Sequence, residues 1–205
     1  MQLISVNLGH ERAMNNGKPS GKTGIYKLPT SDPVPVTSEG LGGDFICDTA
    51  NHGGADQAVY VYGVPDYEWW SGQLGRTLEP GTFGENLTVS GLLSSDFSIG
   101  DFLHIGGVIL QVTAPRIPCV TLAVRMDDPA FVKRFRHGER PGLYCRVIKE
   151  GNLRVGDRAR REPYSQETVS ALEVFRNWYE PIENPDWLRR YDVAPIAVRA
   201  QKKKM

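Results

Sequence analysis

The sequence predicts a mainly β protein with short helices: a β-barrel over residues 1–163, then a small helical appendage over residues 164–205. Three observations predict it. The 22 Gly and 14 Pro are dispersed along 205 residues, the punctuation of a loop-rich β chain and not of a helical bundle. Short apolar runs of strand length lie between them, such as Val108-Ile109-Leu110-Gln111-Val112. After Pro163 the pattern changes, and Val169, Leu172, Val174, Phe175 and Trp178 fall at near-helical spacing.

Leu3, Ile4, Val6 and Leu8 open the chain as a strand, and residues 9–23 are a polar, Gly-rich loop. Residues 24–28 give a second strand, with a Pro-rich turn over 28–33. Val34-Pro35-Val36 is assigned to a sheet edge, because proline has no N–H for a central ladder. Gly40-Leu41-Gly42-Gly43-Asp44 demands backbone angles open to glycine. Asn51-His52-Gly53-Gly54-Ala55-Asp56-Gln57 does the same and leads into a strand over 58–62. Residues 65–74 read as a helix with proline at its start and Gly75 after it. Tyr67, Trp70 and Leu74 share one face there and are assigned to packing.

Residues 80–89 form another Gly-rich segment. Residues 99–106 are a turn feeding a strand, 129–135 a short helix and 142–148 a strand. Turns follow at Gly151 and at Gly156-Asp157, with a last strand over 158–161. In the appendage, a helix over 166–179 is broken by Pro181 and Pro185. A second helix carries Trp187, Leu188 and Tyr191, and a third is expected within 195–203. So short a segment must pack on the barrel or on a partner.

Composition narrows the function. The 24 basic residues balance 24 acidic ones, which argues against a nucleic-acid polymer as ligand. The basic run Lys202-Lys203-Lys204 reads as a solvated tail. No apolar run is long enough for a membrane, and the N-terminal residues lack the pattern of a signal peptide. A cytoplasmic protein is expected. Cys47, Cys119 and Cys145 are expected as reduced thiols, since three cannot all pair within one chain and their spacing matches no zinc pattern.

The chemistry centres on Pro115-Arg116-Ile117-Pro118-Cys119. Two prolines stiffen the exit from a buried strand. Cys119 falls between that rigid loop and a helix start, with Arg116 three residues away, where a thiol is placed to lose its proton. A buried structural cysteine is the plainer reading. His52 lies in a loop whose glycines allow close approach to a ligand, and its imidazole can donate a proton near neutral pH. Glu85 and Asn86 offer an acceptor and an amide suited to a heterocycle edge, or a self-bonded turn. Lys27 and Arg116 are candidate phosphate ligands. There is no GxxxxGK[ST], no GxGxxG after a strand and no GxSxG. A Cys119–His52 nucleophilic pair is open on chemical type alone.

Five motifs in order carry a resemblance: Thr23-Gly24-Ile25-Tyr26-Lys27; His52-Gly53-Gly54 with Asp56 and Ala58-Val59; Phe83-Gly84-Glu85-Asn86-Leu87; Ile99-Gly100-Asp101; and Pro115-Arg116-Ile117-Pro118-Cys119. Together they resemble the MOSC-domain family, nearest to its YiiM-type subgroup, over nearly the whole chain. The helical residues 164–205 resemble the three-helix segment that follows the barrel there. The resemblance implies a β-barrel that binds the molybdenum cofactor (molybdopterin) and does not depend on pyridoxal phosphate. It implies Cys119 as the metal ligand and Lys27 and His52 as site residues. A thiolate suits a metal held by soft dithiolene sulfurs. The cofactor's phosphate wants Arg116 or Lys27, and its pterin edge wants the donors and acceptors that Glu85 and Asn86 could give.

The implied activity is an oxidoreductase that reduces N-hydroxylated compounds such as hydroxylamino-purines. The catalytic residues would then be Cys119, His52 and Lys27, with a flavoprotein or other external electron donor as partner and a homodimer left open. Two rivals stand beside it: a molybdenum-cofactor or sulfur carrier without turnover, and a binding barrel with an inert cysteine.

Overall fold

The computed structural model describes residues 1–14, 21–47 and 53–201. The chain runs through β1 (Leu3–Gly9), β2 (Arg12–Ala13), β3 (Lys22–Thr23), β4 (Lys27–Thr30), β5 (Val34–Thr37), β6 (Gly40–Leu41), β7 (Val59–Gly63), α1 (Val64–Leu74), β8 (Leu87–Val89), β9 (Phe102–Ile105) and β10 (Val108–Pro115). It continues through α2 (Val120–Met126), α3 (Phe131–Gly138), β11 (Leu143–Lys149), β12 (Gly151–Leu153), β13 (Ala159–Glu162), α4 (Ala171–Tyr179) and α5 (Pro185–Val193). Mainly β with short helices is what forms. Among the described residues no helix is long and apolar enough to cross a membrane.

The barrel expected from sequence does not form. The large sheet has eight strands in the order β13-β9-β10-β11-β7-β8-β1-β4, so β13 and β4 are open edges. It is a mixed sheet: β7 and β8 run parallel, as two strands joined through the helix α1 can, and the other pairs are antiparallel. The chain start reaches toward the far edge without making a ladder. Leu3 N donates to the Asp157 carbonyl at 2.9 Å and Gly156 N donates to the Leu3 carbonyl at 2.9 Å, beside an isolated bridge between Gln2 and Arg158. These two bonds fall at the turn before β13, where Gly156 has a φ of 94°; one more, from Ala159 N to the Met1 carbonyl at 3.0 Å, reaches the first residue of β13, and no ladder forms beyond it.

Local details also depart from the sequence reading. The second strand covers Lys27–Thr30 and takes in Pro29, which is tolerated because β4 is a sheet edge. Pro35, by contrast, is in the middle strand of a three-stranded sheet, β12-β5-β6. β6 pairs only with Val36 and Thr37, and Gly42 N donates to the Pro35 carbonyl at 2.8 Å just past it. The missing N–H therefore falls where that ladder has ended. The helix expected from residue 166 begins at Ala171, because Ser170 and Glu173 form a capping box. Residues upstream are bound elsewhere: Ile99 N donates to the Val169 carbonyl at 2.9 Å. Past Pro195, among the described residues, a single 3-10 turn, Val198–Ala200, stands where the sequence predicts a third helix within 195–203, and residues 202–203 lie outside the described residues.

Two apolar clusters hold the fold. One lies on the large sheet, where Leu3, Val61, Leu103 and Leu110 pack with Val174 and Trp187 of the C-terminal helices. The other is aromatic: Tyr62, Trp70, Phe83, Phe131, Phe135 and Phe175 join α1, α3 and α4, with Tyr62 stacked on Phe83 at 4.6 Å. Tyr67 and Trp70 thus pack, as their spacing indicates. The C-terminal helices share the core of the sheet.

Trp187 is 3% exposed. Trp187→Ala is expected to destabilise the chain by about 3 kcal/mol or more in urea unfolding. A loss under about 1 kcal/mol would mean that α5 does not share the sheet's core.

Candidate functional site

The site is a solvent-open cleft where the 22–27 and 44–47 segments face the loop after β10. Three chain segments cross behind it at contact distance. A Cβ on Gly9 would lie 2.3 Å from the Gly24 carbonyl oxygen, and one on Gly24 would lie 1.9 Å from that of Phe45. Only glycine allows backbones this close. The crossing delivers Asp44 against Lys27, whose ammonium donates to both Asp44 oxygens. Both side chains are buried, 8% and 4% exposed. Asp44 also accepts from Gly9 N at 2.7 Å and from Asn86 Nδ2 at 2.8 Å. Burial pulls the Lys27 pKa below its ordinary value, and Asp44 opposes that.

Arg116 comes from the stiff loop, as its sequence position indicates, and is 5% exposed. Nη1 donates to the Phe83 carbonyl, and the guanidinium lies 5.1 Å from the Tyr60 ring centre. Its buried Nε has no hydrogen-bond partner among the described residues. Burial works against the Arg116 charge, but Tyr144, Tyr60 and Cys119 more than offset it and raise the pKa. Cys119 is the N-cap residue of α2 and lines the cleft with Arg116, Lys27 and Asn86. None of the three cysteines forms a disulfide among the described residues. Cys47 lines the same cleft. Cys145 is fully buried, and burial pushes its thiol pKa well up.

The candidates named from sequence divide clearly. Cys119, Arg116, Lys27 and Asn86 meet in the cleft. His52 lies outside the described residues; Gly53, the next residue, lines the cleft. Asn86 is committed internally, since its Oδ1 accepts from Tyr60 N at 3.0 Å while its Nδ2 bonds Asp44. Glu85 is 0% exposed and is not a lining residue. Its Oε1 accepts from Tyr67 Oη at 2.6 Å, Gly81 N at 2.6 Å and Thr88 Oγ1 at 2.8 Å. Sequence reasoning missed Asp44, Tyr60 and Tyr144. The one signal for Asp44 was its place after Gly42-Gly43, where Gly43 has a φ of 81°. Tyr60 and Tyr144 are cross-strand partners of β7 and β11, with ring centres 4.9 Å apart. Among the described residues no group of three or more His, Cys, Asp or Glu could hold a metal ion.

The MOSC domain family matches residues 48–160. YflK of Bacillus subtilis is 37% identical over 154 residues, 75% of this chain and 70% of that protein. YiiM of Escherichia coli is 30% identical over 153 residues, 73% of this chain and 67% of that protein. A protein of Gibberella moniliformis named reductase is 34% identical over 155 residues, but only 25% of that protein is covered. The crystal structure of YiiM from Geobacillus stearothermophilus superposes with a TM-score of 0.79 at 26% identity, over 97% of this chain and 94% of that one.

Burial raises the Glu85 pKa above its ordinary 4.5. The folded state therefore keeps the Glu85 proton to higher pH than the unfolded state does. That contribution to stability is complete below about pH 4.5 and is lost as pH rises through the folded value. Glu85→Gln removes this dependence, so the variant should gain stability relative to wild type as pH rises from about 4 to 7. A stability difference flat across that range in thermal melts would refute the assignment.

Proposed function

The chain belongs to the MOSC-domain family and is of the YiiM type, and from that membership we propose that it is a cytoplasmic molybdenum-cofactor-binding oxidoreductase. Its proposed substrates are N-hydroxylated compounds such as hydroxylamino-purines. One observation carries the reading: a single cleft gathers the Cys119 thiol with the buried Arg116 guanidinium and the Asp44-paired Lys27. A soft donor beside fixed positive charge is the donor set that a metal on a phosphorylated pterin dithiolene asks for. The relative named reductase supports the reaction class.

Cys119 would hold the metal, and Arg116 would hold the phosphate or another anionic group. Lys27 is neutralised by Asp44, so its share is to fix the cleft wall and to offer N–H donors and not net charge. Tyr60 and Tyr144 line the cleft and supply flat apolar surface against which a ring system can lie. When bound, the cofactor would supply the two-electron removal of oxygen. Reducing N–OH to N–H takes up two electrons and two protons and releases water. The electrons are assigned to an external flavoprotein or comparable donor. His52 is assigned the proton delivered to the leaving oxygen.

The test is turnover. Cofactor-loaded protein with an artificial reductant should convert a hydroxylamino-purine to the amine. His52→Ala should keep the cofactor and lose roughly 10²-fold or more in kcat. Loaded wild type that turns over no N-hydroxylated base or amidoxime would contradict the enzyme and favour a carrier.

A further inference from the structure

We propose that the C-terminal segment, residues 195–200, is a strap that sets the cleft wall at residues 53–57, with Arg199, Asp56 and Arg146 as its positioning residues. The proposal takes the cleft as the functional site and assigns new residues to it. Gly53 and Gln57 line the cleft. Gly53 and Gly54 have φ values of 82° and 81°. Two successive glycines carry no side chains to anchor and have the most conformational freedom to lose, so this wall must be held through its carbonyls and neighbours.

The strap supplies those holds from about 140 residues downstream in the chain. Arg199 Nη1 donates to the Gly53 carbonyl at 3.1 Å. Val198 N donates to Asp56 Oδ2 at 3.2 Å, and Asp56 Oδ1 pairs with Arg146 Nη2 at 3.0 Å. Arg146 in turn donates to the Pro195 carbonyl at 3.1 Å. Thr113 joins the same set from β10: its hydroxyl donates to the Asp56 carbonyl at 2.6 Å, and its carbonyl accepts from Ala197 N at 3.0 Å. Every bond either ends on the 53–57 wall or fixes a group that does. Asp56 and Arg146 are 36% and 28% exposed. Bonds so exposed add little to global stability, though they can order a short glycine segment. Ile196 and Ala197, 4% and 0% exposed, anchor the strap in the core, and the exposed bonds of Arg199, Asp56 and Arg146 order the wall from that anchor.

Hydrogen exchange on the full-length chain reads the strap directly. Arg199→Ala and Asp56→Ala should speed exchange of the amides of residues 53–58 about two- to tenfold. The melting temperature should stay within about 2 °C of wild type, and Arg199→Lys should restore part of the protection. In the cofactor-loaded chain, Arg199→Ala should raise KM several-fold with kcat held within about twofold. Unchanged exchange at 53–58 would overturn the proposal. So would faster exchange spread over the whole chain, or faster local exchange with KM unmoved. The exchange arm needs no turnover, so failure of the enzymatic reading and failure of the strap give different results.

Discussion

The buried pair of Lys27 and Asp44 is the interaction on which the cleft depends. Desolvating two charges costs several kcal/mol each, and their attraction repays this only where further hydrogen bonds complete the geometry. Asp44 meets that condition: it accepts from Lys27, Gly9 N and Asn86 Nδ2. Those three donors come from the start of β4, the end of β1 and the residue just before β8. One carboxylate therefore pins three strand ends and the 44–47 wall. Gly9 and Gly24 are what let the backbones come close enough for it. The pair leaves Lys27 neutral overall, which makes Arg116 the principal source of positive charge for a guest in the cleft.

Much of this was legible in the sequence, for identifiable reasons. The strand expected over 58–62, which forms over 59–63, the helix α1 with its proline start and Gly75 C-cap, and the Cys119 loop before a helix start are specified by local chemistry and form within a residue or so of where it places them. The open sheet was not legible. Closure depends on whether the first and last strands pair along their length, which is a long-range register question, and here the chain start bonds only the turn at Gly156 and the first residue of β13. Pro35 misled because an edge was inferred from its missing N–H, while a middle strand accommodates proline where the neighbouring ladder stops short. Asp44 was invisible because its role is set by a partner 17 residues away. Glu85 looked like a ligand by type, but its burial and its bond to Tyr67 are tertiary facts.

The two halves of the chain divide the work without separating. The large sheet gives rigid places for Lys27, Asn86, Tyr60 and Tyr144. Loops carry Asp44, Arg116, Cys119 and the glycine wall, as is usual where a scaffold presents a site. The helical segment after residue 163 then contributes twice. Val174 and Trp187 complete the sheet's core, and residues 195–200 reach back to the cleft wall at Gly53 and Asp56.

The central claim is that this cleft binds a molybdenum pterin through Cys119. Metal and pterin content measured on protein purified from hosts with and without cofactor synthesis tests it most directly. The account predicts near-stoichiometric molybdenum and pterin only from the competent host, lost in Cys119→Ala and kept in Cys145→Ala. Molybdenum retained by Cys119→Ala, or absent from wild type made in the competent host, would contradict it.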